Sequence, residues 1–149
     1  MRDIVKLPVK KHLLKYLQIE WLQDDSHVVL DVRNTLGHYI YSIIQVAPGH
    51  SKPVPVSGEK ISMKITSYDK HGRLFYGKKG KLFISKENAS RFNNFLNQYF
   101  KNEFCFFIDG YLASDPERNQ IKKGIEIYMK MYDLTDEDIK FETLKKAYY

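Results

Sequence analysis

One cysteine in 149 residues leaves no partner for an internal disulfide, so packing must hold the fold, and a reducing, cytoplasmic setting is expected. Cys105 stands among Phe104, Phe106 and Phe107, where a thiol serves as a small core hydrophobe rather than a nucleophile. No apolar run approaches the roughly 20 residues that span a bilayer. Residues 1–12, MRDIVKLPVKKH, hold no apolar h-region, so neither a membrane partner nor a secretory signal is expected. His12, His27, His38, His50 and His71 show no metal-ligand spacing, and no metal or cofactor is expected. Gly77-Lys78-Lys79-Gly80-Lys81 lacks the four residues between glycines, and the Ser or Thr after lysine, that a phosphate-cradling loop requires. No nucleophile elbow, Cys/His pair or carboxylate pair in an apolar setting is visible, and Asp31, between Leu30 and Val32, reads as edge or outward-facing. The chain is expected not to be an enzyme.

What is present is apolar and aromatic: 43% hydrophobic and 14% aromatic residues, in a chain of a length that buries roughly two-thirds of its unfolded surface. Residues 85–112 hold six of the nine Phe, and Phe92, Phe95, Leu96, Tyr99 and Phe100 recur at helical spacing. Ser85 is placed to cap that helix. The run 104–108 fits two readings. One continues the helix, with Phe104, Phe107, Ile108, Tyr111 and Leu112 in a stripe buried nearly all round. The other is a short aromatic strand ended by Asp109-Gly110. The continuing stripe favours the helix.

Around this stretch the chain divides into four parts of one domain, 1–149. Residues 1–46 read as helix, strand and helix. Leu13, Leu14, Leu17 and Trp21 face one side of a first helix after Pro8, and Asp24-Asp25-Ser26 ends it. Residues 27–32 are strand-like, and Asn34 or Thr35 caps a helix running to about Val46. Residues 47–60 hold three of the five prolines and two of the eight glycines and read as a loop. Residues 61–84 read as antiparallel hairpins: Ile61, Met63 and Ile65 alternate with polar residues, 73–76 returns, and 81–84 makes a third strand. Residues 85–149 are helical. Asp115-Pro116-Glu117 marks a helix start, Thr135 with Asp138 resembles a capping box, and Phe141, Leu144, Ala147 and Tyr148 stripe a last helix. The expected fold is α+β: a three-stranded antiparallel sheet with helices packed on one face and a helical C-terminal region.

Charge carries the functional expectation. Residues 61–91 hold eight Lys and Arg against two Asp and Glu, a local +6, and the rest of the chain cancels to zero. The cations Lys64, Lys70, Arg73, Lys78, Lys79, Lys81, Lys86 and Arg91 interleave with Tyr68, Phe75, Tyr76 and Phe83. Lysines and arginines gain by displacing counterions from phosphates, and exposed rings such as Tyr76 stack on bases. A two-stranded ribbon also fits a DNA major groove. The competing account is that lysines on an exposed sheet edge only block edge-to-edge pairing. The tail offers Lys140, Lys145, Lys146, Tyr148 and Tyr149, but residues 116–149 are neutral, and Asp133, Asp136, Glu137 and Asp138 repel a phosphate backbone. Amphipathic helices packing on the core account for the tail better than a helical DNA-reading unit.

RFNNFL at residues 91–96 and IKFETLKKAYY at 139–149 resemble uncharacterised small proteins of bacteriophages and bacterial mobile elements. That resemblance implies a bacterial or phage-infected cytoplasm and carries over no site residue. The expectation is a nucleic-acid-binding accessory or regulator, DNA before RNA. The alternative is a virion or assembly structural protein that self-associates or binds a phage protein partner.

Overall fold

A computed structural model describes residues 2–20, 23–24, 27–29, 35–47, 60–66, 81–114 and 120–149. In chain order its elements are β1 (Arg2–Pro8), α1 (Lys11–Glu20), β2 (Gln23–Asp24), β3 (His27–Val29), α2 (Thr35–Ile43), β4 (Ile44–Ala47), β5 (Lys60–Thr66), β6 (Lys81–Ile84), α3 (Lys86–Ser114), α4 (Ile121–Met131) and α5 (Phe141–Tyr148). The architecture mixes α and β, as expected, but the sheet differs from the expected one.

Strands β1, β5, β3 and β2 form a four-stranded sheet in that order, and β4 pairs with β6 in a second, two-stranded one. β5 runs antiparallel to β1, with Arg2 opposite Thr66 and Pro8 opposite Lys60, and parallel to β3, with Val28 opposite Met63. β6 runs antiparallel to β4, Ile44 opposite Ile84. The two outer strands of the expected three-stranded sheet are therefore present but belong to different sheets. Its middle strand, 73–76, lies outside the described residues. The reason is a period-2 pattern at the start of the chain: Val5, Leu7 and Val9 are buried and Lys6 is exposed. That alternation makes residues 2–8 a strand and gives β5 a seven-residue partner. Ile43-Ile44-Gln45-Val46, read as the end of a helix, contains the β-branched run that becomes β4.

α3 is continuous through 104–108, so the helical reading of that run holds. At 1.5 Å per residue it extends about 43 Å. Its fully buried positions, Phe92, Leu96, Phe100, Phe104 and Ile108, recur every four residues. A spacing of four overshoots a 3.6-residue turn by about 40°, so the stripe winds around the helix and meets different neighbours along its length. Tyr39 of α2 packs on Phe92 and Phe95, at ring separations of 5.5 and 4.8 Å. Tyr16 of α1 meets Phe100 at 5.4 Å, and Tyr128 of α4 meets Phe104 at 5.1 Å. The winding also corrects one expectation. The run 104–108 is not buried all round: Phe106, some 200° from both Phe104 and Ile108, is 74% exposed.

α4 begins at Ile121, after the 115–117 start signal, which lies outside the described residues. Gly124 lets it approach α3 closely, because a Cβ there would stand 2.9 Å from Tyr111 Cδ1 and 3.0 Å from Ile108 Cδ1. Asp133, at φ 52°, closes α4 in a left-handed turn. The Leu134 N–H reaches the Met129 carbonyl and the Asp133 N–H that of Lys130, a Schellman closure with Leu134 buried beneath it. Asp138 accepts bonds from the backbone N–H and hydroxyl of Thr135, which is one half of the expected capping box, although residues 136–138 form a turn rather than a helix. α5 then returns antiparallel to α4. The buried apolar side chains from β1 to α5 form one continuous cluster.

Candidate nucleic-acid interface

Nine side chains carry the expectation of a basic interface, and the fold treats them unequally. Lys64 lies in β5, opposite Ile4 of β1 and Val29 of β3. Lys81 opens β6, opposite Ala47. The two strands are in separate sheets, although β1 also runs beside β6. Lys70, Arg73, Tyr76, Lys78 and Lys79, with the turns at 69–72 and 77–80, lie outside the described residues.

Lys86 and Arg91 stand on the first two turns of α3, which β6 enters directly through Ser85. Ser85 caps the helix as its sequence predicts: its Oγ accepts the Asn88 N–H at 3.2 Å. Both cations are exposed. Arg91 reaches Glu87 at 2.8 Å, one turn back, and both side chains are at least two-thirds exposed. An exposed i,i+4 pair contributes only about 0.3–0.5 kcal/mol, so the guanidinium is readily surrendered to a phosphate.

A second basic surface is formed by helices that read as neutral. An open groove of about 680 Å³ lies between the start of α4 and the end of α5, with Lys122, Lys123 and Lys145 on its walls and Glu126 the acid among them. Tyr149 stands at its lip, 79% exposed. Tyr148, which the tail reading set toward phosphates, donates its hydroxyl to Asp109 Oδ1 at 2.7 Å and ties α5 to α3. Sequence reasoning missed Lys122 and Lys123 because summing 116–149 to zero hid a separation. The acids Asp133, Asp136, Glu137 and Asp138 sit in the turn at the opposite end of the helix pair, about 16 Å away along the 11-residue α4.

Beneath these surfaces a polar network joins α1 to α3 and α4. Tyr16 donates to Glu103 and Tyr132 donates to Glu20. Burial first, and the adjacent carboxylate second, push both phenols well above their usual range. Burial likewise raises Tyr128, whose hydroxyl is buried and has no hydrogen-bond partner among the described residues. Lys15 bridges α1 to the α4–α5 turn, reaching Asp138 Oδ2 at 2.7 Å and the Asp133 carbonyl at 2.7 Å. Burial opposes ionisation of Asp138, but Lys15 and Thr135 outweigh it and hold the carboxyl below its usual range. His12 packs against Phe100, and its Nε2 lies 3.1 Å from Asn97 Oδ1. Burial lowers its pKa. Cys105 is half-buried, burial pushes its thiol up, and its S–H donates to the Ala147 carbonyl at 3.5 Å.

Among the described residues no group of three or more His, Cys, Asp and Glu is arranged to hold a metal ion, and no helix is long and apolar enough to cross a membrane. Comparison with protein-family models, curated proteins and solved structures finds no match to this chain.

Proposed function

We propose that this protein binds nucleic acid, DNA before RNA, as a non-enzymatic accessory or regulator, and that the cations of residues 61–91 are its main contact. The observation that carries the reading is the charge distribution: the whole excess of +6 falls in those 31 residues, while the remainder balances. Clustered cations release condensed counterions together, so they strengthen phosphate binding far more than the same number dispersed among acids. The exposure of Lys86 and Arg91 where α3 begins, and the weak tether of Arg91 to Glu87, support the same reading.

The test is charge reversal. K78E/K79E/K81E is expected to abolish binding to a DNA oligonucleotide and to leave thermal unfolding nearly unchanged. Binding that survives with the same salt dependence removes this segment as the contact.

A second reading, a virion or assembly protein that self-associates, draws on a different observation. Phe106, Ile19 and Met131 are more than half exposed, and large apolar side chains left in water mark an interface where they gather into one patch. Light scattering with and without DNA separates the two. A large oligomer indifferent to DNA and salt supports assembly, and a species that grows only when DNA is added supports nucleic-acid binding.

A further inference from the structure

The groove between α4 and α5 has three features that its role in packing does not explain. First, Lys122, Lys123 and Lys145 converge on one concavity and none of them makes an ion pair among the described residues. Three like charges facing one concavity repel, and Glu126 beside them offsets only part of that, so their convergence costs free energy in the isolated protein. Lys122 and Lys123 also lie in the first turn of α4, the positive end of its dipole, where a cation weakens the helix rather than supporting it. Second, Tyr149 is the most exposed of the large apolar side chains among the described residues and lines the same groove. Third, the wall that carries Lys145 and Tyr149 is fixed. Tyr148 is tied to Asp109, the carbonyl of Ala147 accepts the Cys105 thiol, and the Tyr149 N–H closes on the Lys145 carbonyl at 3.4 Å. The rings of Tyr149 and Tyr148 stand 6.1 Å apart at 72° to one another, and Tyr149 is left mostly exposed.

Cations along a channel with an aromatic face at its edge are what a flexible phosphodiester chain with unpaired bases needs. The lysines track the backbone, and the ring stacks on a base regardless of sequence. A duplex keeps its bases stacked on one another and offers Tyr149 none. We propose that this groove binds a single strand of nucleic acid, with Lys122, Lys123 and Lys145 on phosphates and Tyr149 stacked on one base. The proposal takes its ligand class from the function proposed above, but the site is separate from residues 61–91. Glu126 lies in the same groove and sets a limit on its affinity.

The experiment is a fluorescence-anisotropy titration of the full chain with labelled oligothymidylate of about 12 nucleotides, a length within the span of a single-strand site, over a salt series. K122E/K123E/K145E is expected to weaken binding tenfold or more and to flatten the salt slope by about 2, since each phosphate contact on a single strand contributes about 0.7. The milder K122Q/K123Q/K145Q should move both quantities the same way and less far. Tyr149→Ala is expected to weaken binding by about tenfold and to leave the salt slope unchanged, because stacking releases no counterion. All of these positions are on the surface, so thermal unfolding should match the wild type. If the lysine variants bind within twofold of the wild type while K78E/K79E/K81E loses binding, the groove proposal falls and the reading of residues 61–91 stands. If the groove variants lose binding and K78E/K79E/K81E keeps it, the groove is supported and the main contact is misassigned. Equal losses on a duplex overturn the single-strand assignment, an unaffected Tyr149→Ala overturns the stacking, and a wild type that binds no oligonucleotide overturns both proposals.

Discussion

Tyr132 donates its hydroxyl proton to Glu20, joining the end of α1 to the end of α4 across 112 residues of sequence. About one turn earlier on α1, Tyr16 makes the equivalent bond to Glu103, and the rings of Tyr16 and Tyr132 pack 5.2 Å apart. Both carboxylates accept from neutral phenols, so the network holds only while the tyrosines keep their protons.

Alkaline unfolding follows from this. Tyr16, Tyr128 and Tyr132 are all raised above the ordinary phenol value of 10, first by burial. A group whose folded-state pKa exceeds its unfolded value contributes stability below the unfolded value and loses it as pH rises. Stability should therefore be flat up to about pH 10 and fall steeply above it. In the near-ultraviolet tyrosinate signal, the part from Tyr16, Tyr128 and Tyr132 should appear only with loss of helical circular dichroism. Smooth titration of every tyrosine with the helices intact contradicts the network. Tyr132→Phe should lose about 1 kcal/mol and leave the fold unchanged.

At the acid end His12 sets the sign. Its pKa is lowered, chiefly by burial, with the ammonium groups of Lys10 and Lys101 adding to the effect and Asn97 and Asp138 opposing it. The unfolded chain then takes up the proton more readily than the folded one, so stability is full above about pH 6.5 and declines as pH falls below it. Denaturant midpoints measured between about pH 7 and pH 5 should show that decline in the wild type and a smaller one in His12→Phe. Identical profiles would mean that His12 is freely solvated.

At Gly124 α4 lies close against α3, and substitution there should report the packing directly. Gly124→Val is expected to destabilise by about 2–3 kcal/mol, because the added isopropyl group must displace the Tyr111 ring and the Ile108 side chain. Gly124→Ala should come out near neutral, since about 1 kcal/mol of helix propensity offsets a milder overlap. A stabilised valine variant in thermal unfolding would show that the helices are further apart than described.

Local pattern made much of the fold readable. The Phe92–Ile108 stripe, the Ser85 cap, the strand at 61–65 and the Leu144 helix each depend on neighbours a few residues away, and each is found where the spacing put it. Pairing partners were not readable, because β5 chooses β1 and β6 chooses β4 across the fold, and no short-range signal records that choice. Residues 2–8 show the same limit: Val5, Leu7 and Val9 alternate, but the reading began with the helix after Pro8 and gave the segment before it no strand of its own. The α4–α5 groove escaped for another reason. Net charge is a sum over a segment, and only the antiparallel return of α5 parts Lys122, Lys123 and Lys145 from the acids of 133–138.

The central claim is that phosphates are the ligand, and the salt dependence of binding tests it most directly. Titration of the wild-type chain against single- and double-stranded DNA at a series of salt concentrations should give a linear fall of log affinity with log salt. The duplex slope should be several-fold steeper than one contact's 0.9. Absence of binding at low salt, or binding that salt does not weaken, would contradict the account.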